Sequence, residues 1–366
     1  MSNRSQQFPT MTRQVTKVAL LLCLAMLGAT WCRAQASRKH ETPVVSRTTV
    51  RDVLSWFPAD TETIVVANGP FPMQVLTADD DQTQNRGVST KELKGEFEDL
   101  PLSLVGINKS LTEKYLRGYE VTIAIEGSRR FRPPSGLGEM PFEGCDIVVF
   151  THDIADRAQS FMKDSKDLAT RHENVEGQSV AVFQETLEED VWTTFVAFPR
   201  ANIAVVATDR DFLRDVLARI GGAGGPRALP DDLPEWKYVK TSAPCWGLRH
   251  YDKTQSQFDP SSPFDGEKSA TIISDDQAIG VVFNFDPVPD STATIIYLSG
   301  SKDILQKVKQ AFFPPGVEPE STKDMQIQFR QLAPGVVRSS FVLTHSEPAS
   351  FFLFILMGLL GHAVYV

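Results

Sequence analysis

DIVVFTHDIADRAQSFMKD, residues 146–164, decides how the rest of the chain is read. Ile147, Val148, Val149 and Phe150 make an apolar, β-branched run, the composition of a strand. Ile154, Ala158, Phe161 and Met162 then recur at i, i+4, i+7 and i+8, one face of an amphipathic helix. Thr151, His152 and Asp153 fill the corner between. The stretch predicts a strand, a corner, and a helix packed back on a sheet.

The same phrase recurs three times. IAVVATDRDFLRDVLARI (203–220) has a strand, Thr208-Asp209-Arg210-Asp211, and a helix with Phe212, Leu213, Val216, Leu217 and Ile220 on one face. TIIYLSGSKDILQKVKQAFF (294–313) and SSFVLTHSEPASFFLFILMGLLG (339–361) repeat it. A helix begins with unpaired backbone N–H groups. Ser, Thr or Asp at the N-cap accepts from them, worth about 1 kcal/mol. Acids in the first turn face the positive end of the helix dipole. Asp153, Asp156, Asp209, Asp211, Asp303 and Glu347 therefore have a structural role at helix starts, and Pro348 suits a first helical position. His152 and His345 share a Thr-His opening, but two of the four corners contain no histidine. Capping explains all four; a His/Asp site does not.

The corners suggest a duplication. Unit A, residues 50–220, runs through VTIAIEG, CDIVVFTHD-helix, the hairpin SVAVFQE–WTTFVAF and IAVVATDRD-helix. Unit B, residues 236–366, runs through AIGVVFNF, TIIYLSGSKD-helix, MQIQFRQL and SSFVLTHSEP-helix. GGAGGPRALPDDLPE, residues 221–235, is the Gly/Pro linker between them. The expected fold class is α+β: two related units of antiparallel sheet with helices packed on one face.

Phe57-Pro58-Ala59-Asp60-Thr61, followed later by VEGQSVAVF and the IAVVATDRDFLRDVL phrase, resembles uncharacterised exported bacterial proteins. Those open on a Pro-Ala-Asp-Thr phrase and carry duplicated α+β units. The resemblance spans most of residues 50–345 and implies no activity and no functional residues.

Arg13 and Lys17 precede VALLLCLAMLGA (18–29), and Ala34-Gln35-Ala36 follows. That is a basic n-region, a short apolar h-region and a small-x-small cleavage site. Residues 1–36 read as an export signal and 37–49 as a linker. The expected location is periplasmic or extracellular. With 42% hydrophobic and 23% charged residues the remainder has ordinary globular composition. The net charge of −9 becomes more negative once the signal, which holds four bases and no acids, is gone. Such a surface repels phosphate backbones, so nucleic-acid binding is not expected. Cys145 and Cys245 remain after export. In an oxidising compartment they form either one disulfide or two separately buried thiols.

No complete catalytic set is present. His172-Glu173 opens a zinc-protease phrase, but no second histidine follows one turn later. Histidines stand scattered at 40, 152, 172, 250, 345 and 362, without Cys-x-x-Cys. Ser160-Phe161-Met162-Lys163 matches Ser-x-x-Lys but lacks its partner motifs and sits mid-helix. No Gly-x-Ser-x-Gly elbow occurs, and GGAGG (221–225) follows a helix without a Lys-Ser/Thr. In residues 79–92 a calcium-loop pattern fails at Arg86, where Gly is required. No catalytic, metal or cofactor residue is assigned. The loop from Ser128 to Gly144, with Arg129, Arg130, Phe131 and Arg132, reads either as a binding lip for an anionic partner or as a plain hairpin connection.

Residues 349–366, ASFFLFILMGLLGHAVYV, hold no Lys, Arg, Asp or Glu. As a helix they would be about 27 Å long, close to a hydrocarbon core. They read as a last core helix or as a membrane or partner contact. The functional expectation is a non-enzymatic exported binding or envelope-assembly module. Its partner is an unknown protein or small ligand, and residues 349–366 supply a membrane contact unless they form the last core helix. The alternative is an exported hydrolase with a scattered site near His152, His250 and Asp252.

Overall fold

The structure is a computed structural model that describes residues 48–72, 109–129, 143–187, 190–251, 277–286, 291–312 and 325–343. Residues 1–36, read above as a signal, the acidic stretch 79–92 and the apolar stretch 349–366 lie outside the described residues.

Twelve strands form one sheet in the order β11-β12-β10-β9-β8-β1-β2-β3-β7-β6-β5-β4. In chain order they are β1 (Thr61–Pro72), β2 (Glu120–Arg129), β3 (Glu143–Phe150), β4 (Arg171–Val175), β5 (Gln178–Leu187), β6 (Asp190–Arg200), β7 (Ile203–Ala207), β8 (Cys245–His250), β9 (Ala278–Asp286), β10 (Ser291–Ser299), β11 (Met325–Ala333) and β12 (Val336–Leu343). All their pairings are antiparallel. The helices are short: α1 (Val50–Trp56), α2 (Lys109–Tyr115), α3 (Ala155–Asp164), α4 (Arg210–Ile220) and α5 (Ile304–Phe312).

This corrects the expected fold class. The chain is a single large antiparallel sheet with a few short helices, not an α+β pair of sheet units each covered on one face. The join is β1 against β8, in register from Thr63–Arg249 to Ala67–Cys245. Two separate sheets would leave a bare ladder on each of these strands, and pairing them satisfies both. The helices lie on both faces because the strands are apolar on both. All five residues of β7 are buried, and a strand buried on both sides needs cover on both. On one face Phe161 of α3, Ile304 and Val308 of α5 and Leu111 of α2 pack with Ala124, Val148 and Phe283. On the other, Val53 and Leu54 of α1 and Phe212, Leu213 and Val216 of α4 pack with Ile125, Ile147 and Val205.

Outward from the join the strands run β1-β2-β3-β7-β6 one way and β8-β9-β10-β12-β11 the other. The hairpin β4–β5 extends the first arm. Helix α3 follows β3 as α5 follows β10.

Of the three described corners only the start of α4 shows the expected side-chain cap. Asp209 caps α4, its Oδ1 accepting from Phe212 N at 2.7 Å. For α3 the N-cap is Ile154, with no side-chain cap. Asp153 instead accepts from Ala155 N at 2.7 Å. Asp303 accepts from the Ser301 hydroxyl. The fourth corner, with His345 and Glu347, lies outside the described residues. Among the described residues no helix is long and apolar enough to cross a membrane.

Candidate functional site

Strand β2 alternates Ile123, Ile125, Gly127 and Arg129 toward the α4 face. Gly127 leaves room for Phe57, because a Cβ there would lie 2.4 Å from the Phe57 ring. Phe57 in turn meets Phe212 edge-on at 6.2 Å. Arg129 continues the same face and is 2% exposed. Its Nε donates to Glu143 at 2.9 Å and its Nη1 to Asp215 at 2.9 Å and Asp60 at 3.3 Å. Asp209 lies 3.6 Å from Nη2, and the Phe212 ring is 4.4 Å beneath the guanidinium. Burial disfavours the charge on Arg129, but the Asp215 hydrogen bond and the fields of Asp60 and Glu143 outweigh it and raise its pKa. Burial likewise works against ionised Asp215, yet Arg129 and Arg214 hold it below the usual carboxylate range. The Phe-Pro-Ala-Asp-Thr phrase thus supplies a core ring and one carboxylate of this cluster. Arg129 ties β1, β2, β3 and α4 together, and its charge is matched inside the fold. Arg130, Phe131 and Arg132 lie outside the described residues.

A second polar contact forms at the same end of the sheet. His250, the last residue of β8, places Nδ1 2.8 Å from Oε1 of Glu235. Glu235 sits in a 3-10 turn, Pro234–Tyr238, and its side chain is fully buried. Its Oε2 is buried without a hydrogen-bond partner. The turn is fixed by Trp236 against Trp246 at 5.9 Å. Asn284 locks the following chain, its Oδ1 accepting from Lys240 N and its Nδ2 donating to Tyr238 O. The Gly/Pro stretch before the turn is packed as well: Ala228 and Leu229 are buried and Arg227 bridges to Pro58. A histidine held by a buried carboxylate has a fixed ring orientation, half of what base catalysis needs.

His152 is exposed at the end of β3. Strand β3 begins at Glu143 opposite Arg129, so His152 and His250 stand at opposite ends of the sheet. Asp252 lies outside the described residues. The scattered site read from His152, His250 and Asp252 is therefore not gathered between the two histidines. His172 Nε2 meets the Ser165 hydroxyl at 3.2 Å. Ser160 donates to the Asp156 carbonyl within its own helix. Among the described residues no group of three or more His, Cys, Asp or Glu is placed to hold a metal ion.

Cys145 and Cys245, the two cysteines among the described residues, are both free. Cys145 on β3 and Cys245 on β8 are separated by β1 and β2, about 14 Å at the usual strand spacing. They also pack in the cores of opposite faces. A disulfide needs Cα atoms within about 7 Å, so of the two readings the structure takes the separate thiols. Burial pushes Cys145 well above the ordinary thiol value and Cys245 up to about 12.

Strands β2 and β3 also set two carboxylates side by side, Glu126 directly opposite Asp146. Burial, and then the Glu126 charge, push Asp146 well above the usual carboxylate range. Near α1, Thr48, Asp52, Ser55, Trp56 and Arg200 line a surface cavity of about 360 Å³. There Asp52 reciprocally caps the helix with Thr49 and Arg200 stacks 5.1 Å over Trp56.

Sequence reasoning missed Glu235, 15 residues before its partner and read as the end of a linker. It misplaced Arg129 for want of one signal that was present: the alternation from Ile123 points Arg129 inward. No family model, curated protein or solved structure matches this chain.

Proposed function

We propose that this chain is an exported, non-enzymatic binding or envelope-assembly module built from two related units. The observation that carries this reading is the neutralised state of its most conspicuous charge. Arg129 is held by Asp60, Glu143, Asp209 and Asp215 at distances from 2.9 to 3.6 Å, a structural clamp rather than a group waiting for substrate. The same strand order in both arms, β1-β2-β3-β7-β6 and β8-β9-β10-β12-β11, supports the duplication. The n-region, h-region and Ala34-Gln35-Ala36 support export, and the apolar 349–366 tail supports contact with a membrane or partner.

A second reading, an exported hydrolase, is favoured by the 2.8 Å contact between His250 and buried Glu235. One experiment separates them. The full chain is assayed against fluorogenic ester, peptide and glycoside substrates beside His250→Gln. The module reading expects no turnover above buffer in either. Turnover that His250→Gln abolishes while the far-ultraviolet spectrum is unchanged overturns it.

A further inference from the structure

The two outer strands of the sheet are unlike. Strand β4 has five residues, and its Glu173 is paired with Arg171 at 3.6 Å and Arg210 at 3.0 Å. Short, charged edges of this kind resist strand addition. Strand β11 closes the other end with nine residues, MQIQFRQLA, and holds neither an acid nor a proline. Its counterpart in the other arm, β6, carries a further antiparallel strand, β5, on its outer side. The arm that ends at β11 has no such strand among the described residues.

Beside that edge two like charges stand together. Arg330 of β11 is directly opposite Arg338 of β12. Cross-strand like charges are destabilising. Neither arginine forms an ion pair among the described residues, and Arg338 Nε is buried without a hydrogen-bond partner. On the opposite side of the sheet Ile327 and Phe329 pack partly buried against the core that holds Phe341. The edge thus presents a backbone ladder, a basic side and an apolar side.

We propose that the outer edge of β11 is a strand-addition site for an extended acidic peptide segment. Its alternate carboxylates lie along the Arg330–Arg338 side and its intervening apolar side chains beside Ile327 and Phe329. Main-chain hydrogen bonds give affinity in this mode and alternate side chains give selectivity. A second copy of β11 fits less well, because it brings another arginine and no carboxylate. The proposal deepens the binding-module reading and rests on it.

The test uses the full chain and two end-blocked synthetic probes, Val-Glu-Val-Glu-Val-Glu-Val and the same peptide with Lys for Glu. Binding is read by fluorescence anisotropy and by amide hydrogen exchange. The glutamate peptide is expected to bind about tenfold or more tighter than the lysine peptide, as opposite charge favours it. It should slow exchange in β11 and leave β4 unchanged. Arg330→Glu, at an exposed position, leaves Arg338 facing a carboxylate and should abolish the preference while folding normally. Absent binding, equal affinities, protection outside β11 or an unchanged preference in Arg330→Glu overturns the proposal. So does protection of the outward-facing β11 amides, those not bonded to β12, before peptide is added: if it persists on dilution the chain covers its own edge, and if it fades a second copy does. None of these outcomes produces turnover, so the failure of this site and of the binding-module reading are read separately.

Discussion

The Glu235 carboxylate occupies the space a side chain at Gly280 would need. A Cβ built on Gly280 would lie 2.0 Å from Glu235 Oε1 and 2.6 Å from the Arg249 carbonyl. Gly280 is directly opposite His250 in the ladder, so the absent side chain is what lets a buried acid reach the histidine. Gly280→Ala is expected to lower stability by about 1–3 kcal/mol, the usual range for overpacking. Urea unfolding measures it. Combining it with Glu235→Ala should cost less than the sum of the two single changes, because they compete for one space. Strict additivity would refute this coupling.

Arg129→Met leaves Asp60, Glu143, Asp209 and Asp215 facing one another with only Arg214, at the outer side of Asp215, as a cation. Removing one side of a buried ion pair costs about 3–5 kcal/mol. Arg129→Lys should rescue little, since one ammonium cannot replace the planar fork. The acid limb should change too. Asp215 titrates below its ordinary value in the folded chain, so its contribution is present above an unfolded value near 3.8 and is lost as pH falls through the lower folded value. In Arg129→Met that acid-dependent loss should shrink, which urea midpoints at a series of acidic pH values will show.

The local elements were legible where one residue's pattern sufficed. Phe212, Leu213, Val216 and Leu217 marked the buried face of α4, and Asp209 its cap. The join of Val66 to Trp246 was not legible, because a ladder across 180 residues leaves no local period. The strands at the join read the same whether they end two sheets or share one. The candidate site divides the same way. Arg129 had a readable signal in its alternation with Ile123 and Ile125, masked by the arginines that follow it. Glu235 had none, since its role depends on what Gly280 lacks.

Asp146→Asn is expected to stabilise the protein progressively more as pH rises. Asp146 sits opposite Glu126 with its folded pKa well above the ordinary carboxylate value of 3.8. The folded state therefore holds a proton that the unfolded state releases. Its favourable contribution is full below the unfolded value and is lost as pH rises through the folded one. Asparagine keeps the shape and cannot ionise. The difference in urea midpoint between Asp146→Asn and the natural chain should be small near pH 4 and grow toward alkaline pH. A difference that is flat with pH would mean that burial and the neighbouring Glu126 do not hold a proton on Asp146.

Both thiols should be silent in the folded chain. Cys145 is 1% exposed, and burial holds Cys245 at a pKa of about 12. The thiolate is the reactive form, so at pH 8 neither should react with iodoacetamide over minutes. In denaturant both should react, without prior reduction, giving two adducts by intact mass on a chain that begins after Ala36 and so lacks Cys23 and Cys32. The partly exposed Cys245 should label first as denaturant is raised, because local opening at β8 suffices for it, whereas Cys145 lies in the interior strand β3. Protein isolated from an oxidising compartment that takes up no label in denaturant until it is reduced would place a disulfide between them and contradict the separation of β3 from β8.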